Sequence, residues 1–493
     1  MTKRIFKPFI TTITAVILML VTVMPVEIAV AAEEEEGSKS VKELSKPAQS
    51  KPDDRTTGIV DLGRHIEVEN DIVQEEDSSK LRRSMSSLPD KYDPRNESWF
   101  NEIKIKDQGY TGLCWSFATT TAAEIFVAKN QLGQVAAGEK MSPVHLGYFL
   151  YNRINDPLGN TPGDRNVIPT AYKDYGYWDI GGNNFMTFQG LANWTGLANE
   201  SKAPFSSYYE PAKLPKTLSS SLAYDNDLIL DNAEFLMQTS EIKEAVKENG
   251  SAIIGIDTNG GRIGIYFNND TNAYYCGEKT ISDHIVTVVG WDDSYNRENF
   301  REDRRPEADG AWIVQNSWGS DWGDSGYFYV SYEEETMLAD ALTIDMQEAD
   351  TYDYNYQYDG NANVRSAPFS AGEKASNIFT VPSGEGYGKN HILEAVGFTS
   401  YDKMPKQYNV GIYTDVRGTG NPENGSEESR FSVTVDRPGF HTFELPEQIY
   451  LKPGTRYSIV LETIEGAELG VETAEKWDWV AFECSLAKNQ SCW

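Results

Sequence analysis

Between Leu88 and Tyr332 the apolar positions switch from helical to strand spacing, and after about Tyr354 only strand spacing remains. Phe117, Ala118, Thr121, Ala122, Ile125 and Phe126 recur at helical spacing behind Cys114, predicting a helix with one buried face that stops at Gly133. Ser142 to Arg153 reads as a second helix, and Glu241 to Asn249 as a third, capped by Gly250. Ser251–Asp257, His284–Trp291, Ala311–Gln315 and Gly326–Tyr332 read as strands, and the charged stretch Asp292–Asp309 as a surface loop between two of them. Helices before strands predict an α+β domain. Farther on, Ala375–Val381, His391–Ser400, Gln407–Tyr413, Ser432–Val435, His441–Leu445 and Thr455–Leu461 are short strand candidates separated by Gly, Pro and Asp turns. They predict an antiparallel β-sandwich of about 130 residues.

The start of the chain has a different character. A basic Met1–Lys7 segment, an apolar run from Phe9 to Pro25 and the small-residue pattern Ala29-Val30-Ala31 read as a secretory signal peptide over residues 1–31. Residues 32–87 are polar and turn-rich, without a period, and read as a linker or propeptide; Lys80-Leu81-Arg82-Arg83 would suit tryptic cutting. The expected order is therefore signal, linker, an α+β domain over 88–335 and an all-β sandwich over 350–493. No stable transmembrane segment is expected once the signal is removed. A net charge of −31 argues against nucleic acid as a partner and fits a soluble exported protein. Of the four cysteines, Cys484 and Cys492 are close enough in sequence to form a small loop, which leaves Cys114 and Cys276 outside it.

Cys114 stands where a glycine-bearing loop, Gln108-Gly109-Tyr110-Thr111-Gly112-Leu113, runs into the first helix. A helix N-terminus stabilises a thiolate, so this is a place for a nucleophilic cysteine. Such a nucleophile needs a base and a group that orients the base. His65 falls in the linker, His391 and His441 in the sandwich, and His145 on the second helix; His284 opens an apolar strand directly after Asp283. Asn316 ends the next strand, ahead of the glycine–tryptophan loop Ser317–Gly326. Taken singly, each of these features has an ordinary structural explanation.

Together they resemble the papain-like cysteine peptidases. The resemblance rests on Gln108, Gly109, Cys114 and Trp115; Asp283, His284 and Gly290; and Asn316, Ser317, Trp318, Gly319, Trp322, Gly323, Gly326 and Tyr327, over roughly residues 88–335. It implies a two-lobed peptidase domain, with Cys114 as nucleophile and His284 as base and then acid. Asn316 would orient the imidazole, and Gln108 would donate to the oxyanion. The family's charge state would be a thiolate–imidazolium pair. Gly181-Gly182 resembles the glycine stretch whose backbone pairs with extended substrate. This chemistry calls for no cofactor and no metal. Two positions depart from the family: Thr111 stands where a disulfide cysteine is usual, and Leu113 stands where Ser or Ala is usual, which is expected to alter the subsite beside the scissile bond. The C-terminal segment looks similar to the lectin-like sandwich that follows such peptidases in prokaryotic surface proteins, through Tyr354-Asn355-Tyr356, Ala375–Phe379, Leu393–Phe398 and Val410–Tyr413. The sequence thus predicts a secreted cysteine endopeptidase acting on proteins or peptides, with a sandwich that contacts a cell-surface glycan or wall. Two readings stay open beside it: an adhesin with a vestigial peptidase domain, and a transpeptidase using the same residues.

Overall fold

Gly112 and Leu113 lead into α1, Cys114–Asn130, which ends when Gln131 adopts a left-handed conformation (φ 53°), two residues before the glycine expected to stop it. In the computed structural model the described residues are 88–133, 138–172, 174–205, 214–337, 341–384, 388–418, 420–476, 480–484 and 491–492. The signal peptide and the whole linker, Lys80–Arg83 included, lie outside them. The prediction of one buried face for α1 is too narrow. The helix is buried on nearly every side, with only Phe126, Lys129 and Asn130 reaching solvent. One side joins the cluster containing Trp115, Phe149 and Phe188, and Ile125 and Ala128 join a second cluster with Phe100 and Ile313. A helix packed between two layers has no polar face for periodicity to reveal.

The second helix, α2, is Pro143–Tyr151; Ser142 caps it by accepting from the His145 N–H, and Pro143 occupies the first turn, where no N–H is needed. α3, Asn184–Ala192, was not predicted; the Asn183 side chain caps it by accepting from the Met186 N–H. β1 is Leu228–Phe235, α4 Thr239–Glu248, β2 Ala252–Ile256, β3 His284–Asp292, β4 Ala311–Gln315, β5 Tyr327–Ser331 and β6 Leu342–Glu348. The sandwich strands are β7 Val364–Phe369, β8 Lys374–Thr380, β9 His391–Ser400, β10 Lys406–Thr414, β11 Ser426–Val435, β12 Gly439–Leu451, β13 Arg456–Thr463 and β14 Ala467–Glu472.

One 13-stranded sheet runs in the order β7-β14-β9-β12-β1-β6-β2-β3-β4-β5, continued by two short strands, Ala273–Tyr274 and Phe267–Asn268, while Lys91–Tyr92 pairs with β3 off this path. The second sandwich sheet is β11-β10-β13-β8, with Ser491–Cys492 beside β8. The α+β architecture with a β-sandwich following it is as expected. The sequence did not indicate that strands of the two parts would pair. β12 joins β1 through Gly439↔Glu234 and Phe440↔Ala233, and Asn166 of the first part pairs with Phe482 near the C-terminus. Gly439 has φ 153°, and a Cβ there would run into the Ala233 carbonyl, so only glycine lets the strands approach this closely. Among the described residues no helix is long and apolar enough to cross a membrane.

Candidate active site

The loop before α1 and the loop after β4 are stitched together by their backbones. Gln108 N–H donates to Ser317 O at 2.8 Å, Gly319 N–H donates to Lys106 O at 3.0 Å, and Asp107 bridges Trp318. Residues some 200 positions apart in sequence are thereby placed side by side. Beneath them a buried ion pair, Lys106 Nζ–Glu124 Oε1 at 2.6 Å, ties the Gln108 loop to the body of α1. Lys106 also donates to Thr120 Oγ1 at 2.9 Å, and Glu124 accepts the Met141 N–H at 2.7 Å.

Gln108, Asn316 and His284 are linked at this junction through Ser317, and Cys114 opens the helix that follows the Gln108 loop. Cys114 is the first residue of α1, where backbone N–H groups lack helical partners and the dipole favours negative charge. His284 is the first residue of β3, and α1 lies against this strand: Thr287 Oγ1 donates to Ala118 O at 3.4 Å, one turn along from Cys114. His284 Nε2 lies 2.8 Å from Asn316 Oδ1, and that oxygen also accepts the Ser317 N–H at 2.7 Å. The shared oxygen is an acceptor, so Nε2 carries the proton and Nδ1 presents its lone pair. Nδ1 is buried with no hydrogen-bond partner. Trp318 covers the imidazole, its ring centroid 4.7 Å away at 24°, and Trp322 packs edge-on against Trp318.

Gln108 is held through its amide. Ser317 Oγ donates to Oε1 at 2.5 Å, and Nε2 donates to Thr111 O at 2.8 Å. Cys114, His284 and Gln108 are all fully buried. That burial pushes the imidazole down to about 4, partly opposed by the hydrogen bond to Asn316. Burial thus disfavours the imidazolium, while the bond to Asn316 favours it. The neighbouring Asp283 is pushed up to about 6 by burial, although its carboxylate accepts from Thr258 N, Thr258 Oγ1 and Gly260 N.

Gly181 and Gly182 are placed differently from each other. The Gly181 carbonyl accepts the Tyr151 hydroxyl at 2.7 Å. Gly182 abuts the Trp115 ring, where an added Cβ would come within 2.6 Å, so any side chain there would displace the tryptophan that follows the thiol. Leu113 does not border a subsite as expected. It is fully buried in the α1–α2 core, where a Cβ on Gly147 would lie 2.7 Å from its Cδ2. At the position lacking the usual disulfide, Thr111 Oγ1 donates to Gln108 O at 2.8 Å, and the adjacent Gly112 N–H donates to Trp178 O at 2.6 Å. Cys276 and Cys484 carry free thiols, and the side chain of Cys492 lies outside the described residues. Sequence reasoning missed Ser317 as the residue that holds Gln108, although its position beside Asn316 was in view. It also missed Asn183, whose place directly after two glycines and before Phe185 carried an N-cap signal.

The papain family of cysteine proteases matches residues 180–349, and a lectin-like domain matches residues 355–492. The first segment contains His284 and Asn316 and leaves Cys114 outside it. Cysteine proteinase 3 of Entamoeba histolytica is 24% identical over 264 residues, 53% of this chain and 69% of that protein. A probable cysteine protease of Arabidopsis thaliana is 26% identical over 245 residues, 50% of this chain and 55% of that protein. Among solved structures, the clostridial cysteine protease Cwp84 after propeptide cleavage superposes with a TM-score of 0.64 at 23% identity, covering 81% of this chain and 92% of that one. The cysteine protease and lectin-like domains of Cwp84, described as a surface layer associated protein of Clostridium difficile, give 0.63 at 22% identity, with 82% and 83% covered. At these identities the superpositions speak for the shared fold.

Proposed function

We propose that this chain, a cysteine-type peptidase carrying a papain-family protease domain and a lectin-like domain, is a secreted endopeptidase that hydrolyses peptide bonds through Cys114, His284 and Asn316. The observation that carries the mechanism is the Nε2–H···Oδ1 bond from His284 to Asn316, which leaves an unpartnered Nδ1 lone pair at the start of a strand packed against α1. In the first step Nδ1 takes the thiol proton as Sγ attacks the substrate carbonyl carbon. The developing oxyanion is met by the Cys114 backbone N–H and the side-chain amide of Gln108, which Ser317 and Thr111 orient. Buried imidazolium gives its proton up readily, so His284 protonates the leaving amine as the C–N bond breaks. Water then attacks the thioester with His284 again as base, which frees the acid and restores the thiol. The backbones of Gly181 and Gly182 would pair with the extended substrate, and the missing Cβ at 182 leaves room for Trp115 beside the thiol.

Export is supported by the basic and apolar character of residues 1–31. The matched lectin-like domain supports a role in holding the enzyme at a glycan-bearing surface. The test is cleavage of an unfolded protein by the full chain and by Cys114→Ala, with products mapped by mass spectrometry. The variant is expected to keep its circular dichroism and melting curve and to lose cleavage. Undiminished cleavage by the variant would end this reading, and ligated rather than hydrolysed products in the presence of an added amine would make the protein a transpeptidase.

A further inference from the structure

A cavity of about 780 Å³ lies between the peptidase part and the sandwich. That is the size range of small-ligand sites and far larger than a pair of structural waters needs. One wall is the end of α3 and the residues after it, Gln189, Ala192 and Asn193. The other walls are β8, β9 and the extended segment 350–359, so neither part encloses the cavity alone.

Its lining has a consistent chemistry. Asn193 Nδ2 donates to Asn361 O, Asn355 Nδ2 to Ala192 O, Gln357 Nε2 to Asn193 O and Gln189 Nε2 to the Tyr401 hydroxyl. The donor ends of these four amides are thus used within the protein. Among the described residues none donates to their side-chain oxygens, which leaves four fixed acceptors on lining residues. At one edge stands Tyr354, 44% exposed, with one face stacked on His391 at 4.3 Å and 6°. His391 is fixed in turn by the Tyr356 hydroxyl at 2.6 Å from Nδ1. Tyr354 therefore presents a flat ring backed on one side only.

Charge narrows the class of ligand. Lys389 is the one cation among the described lining residues, whereas Asp350, Asp353, Asp359, Glu394 and Glu472 also line the cavity, which disfavours anionic ligands. Asp359 and Glu472 are pushed up to about 6 and about 9, by burial first and then by neighbouring carboxylates. The Glu472 end therefore acts more as a hydrogen-bonding group than as a point charge that would call for a cation.

We propose that this cavity binds a neutral oligosaccharide segment of a surface glycan, with a sugar ring against Tyr354 and hydroxyl groups donating to the amide oxygens of Gln189, Asn193, Asn355 and Gln357. The proposal rests on the surface-holding role given above to the lectin-like domain, and it adds that the binding site is shared with the peptidase part. The test uses the full chain carrying Cys114→Ala, which prevents self-cleavage, on an array of neutral hexose and N-acetylhexosamine oligosaccharides together with acidic saccharides, a lysine-rich peptide and spermine. Binding of a neutral oligosaccharide is expected. Tyr354→Ala should weaken it about tenfold or more, and Ala192→Trp, which fills the cavity from the peptidase side, should abolish it. The same two substitutions in the Cys114-intact chain should leave casein cleavage within about twofold. Because Tyr354 is exposed, its variant remains informative if Ala192→Trp fails to fold. Equal binding by parent and both variants would move the sugar site elsewhere on the lectin-like domain, overturning the cavity proposal and sparing the surface-holding role. Binding of the lysine-rich peptide or spermine in place of sugar, or of nothing on the array, would overturn the cavity proposal, and the latter would remove the support for glycan targeting as well.

Discussion

At the scale of single residues, the site depends on how few degrees of freedom its polar atoms keep. Gln108 has its carbonyl oxygen held by Ser317 and an N–H by Thr111, so the plane of its amide is set before substrate arrives. Gln108→Ala is expected to lower kcat about 10²- to 10³-fold with little change in KM, because the lost bond is made chiefly to the oxyanion. An equal rise in KM would show that Gln108 binds the ground state instead. The two adjacent titrating groups have opposite effects on stability. His284 is lowered to about 4 from an unfolded value of 6.5, so the unfolded chain takes up the proton first, and stability is lost as pH falls from about 6.5 toward 4. Asp283 is raised to about 6 from 3.8, so its contribution is present at low pH and is lost as pH rises from about 3.8 through 6. The two slopes nearly cancel in that interval. Asp283→Asn removes one of them, and the variant's melting temperature should then fall markedly more than the parent's between pH 6.5 and 4. Parallel profiles for parent and variant would show that Asp283 titrates near its ordinary value.

At the scale of elements, what the sequence revealed and what it hid have separate physical causes. β3 and β4 were legible because both are buried apolar runs bounded by polar loops, and α1 was legible because its start coincides with a glycine-bearing loop. α3 was not: all of its residues but Ala192 are buried, and Gly190 sits where a Cβ would come within 2.8 Å of Leu150, so neither amphipathic period nor helix propensity marks it. β1 and β6 were hidden by a register shift between Asp345 and Met346, which breaks the alternation a strand needs to be recognised. Leu113 was misplaced because adjacency to Cys114 in sequence says nothing about which way a residue points at the start of a helix. The Lys106–Glu124 pair was also unreadable, since a sequence does not reveal that two charges are buried together. Glu124→Ala leaves Lys106 buried without its partner and is expected to destabilise the protein by about 3–5 kcal/mol. The double variant Lys106→Met/Glu124→Leu should recover most of that loss, with chemical denaturation as the measurement. If the double variant is as unstable as the single one, the pair's worth lies in its hydrogen bonds to Thr120 and Met141 rather than in neutralising charge.

At the scale of the whole molecule, the sandwich is built into the peptidase rather than tethered to it. The main sheet crosses from one to the other at β12–β1, and Phe235 N–H donates to Pro438 O at 2.8 Å beside the crossing. Arg437, next to Pro438, reaches Glu234 at 3.0 Å, Glu244 at 2.8 Å and Glu241 at 3.6 Å, bonding both β1 and α4. A joint made of shared backbone pairing and a branched ion cluster should melt with the parts it connects. It also fixes the walls of the cavity between them, so one substitution at the joint tests the coupling directly. Gly439→Val puts a branched side chain against the Ala233 carbonyl in a backbone conformation that valine disfavours. The β12–β1 pairing should then open while each part keeps its own core. Calorimetry is expected to resolve two transitions where the parent gives one, with cleavage of a short peptide retained below the lower of them. Arg437→Ala, which removes only partly exposed ion pairs, should lower the melting temperature by a few degrees at most and leave a single transition. If Gly439→Val melts as one transition at the parent's temperature, the joint contributes nothing to cooperativity, and the two parts are held instead by the Asn166–Phe482 strand pairing and the walls of the cavity.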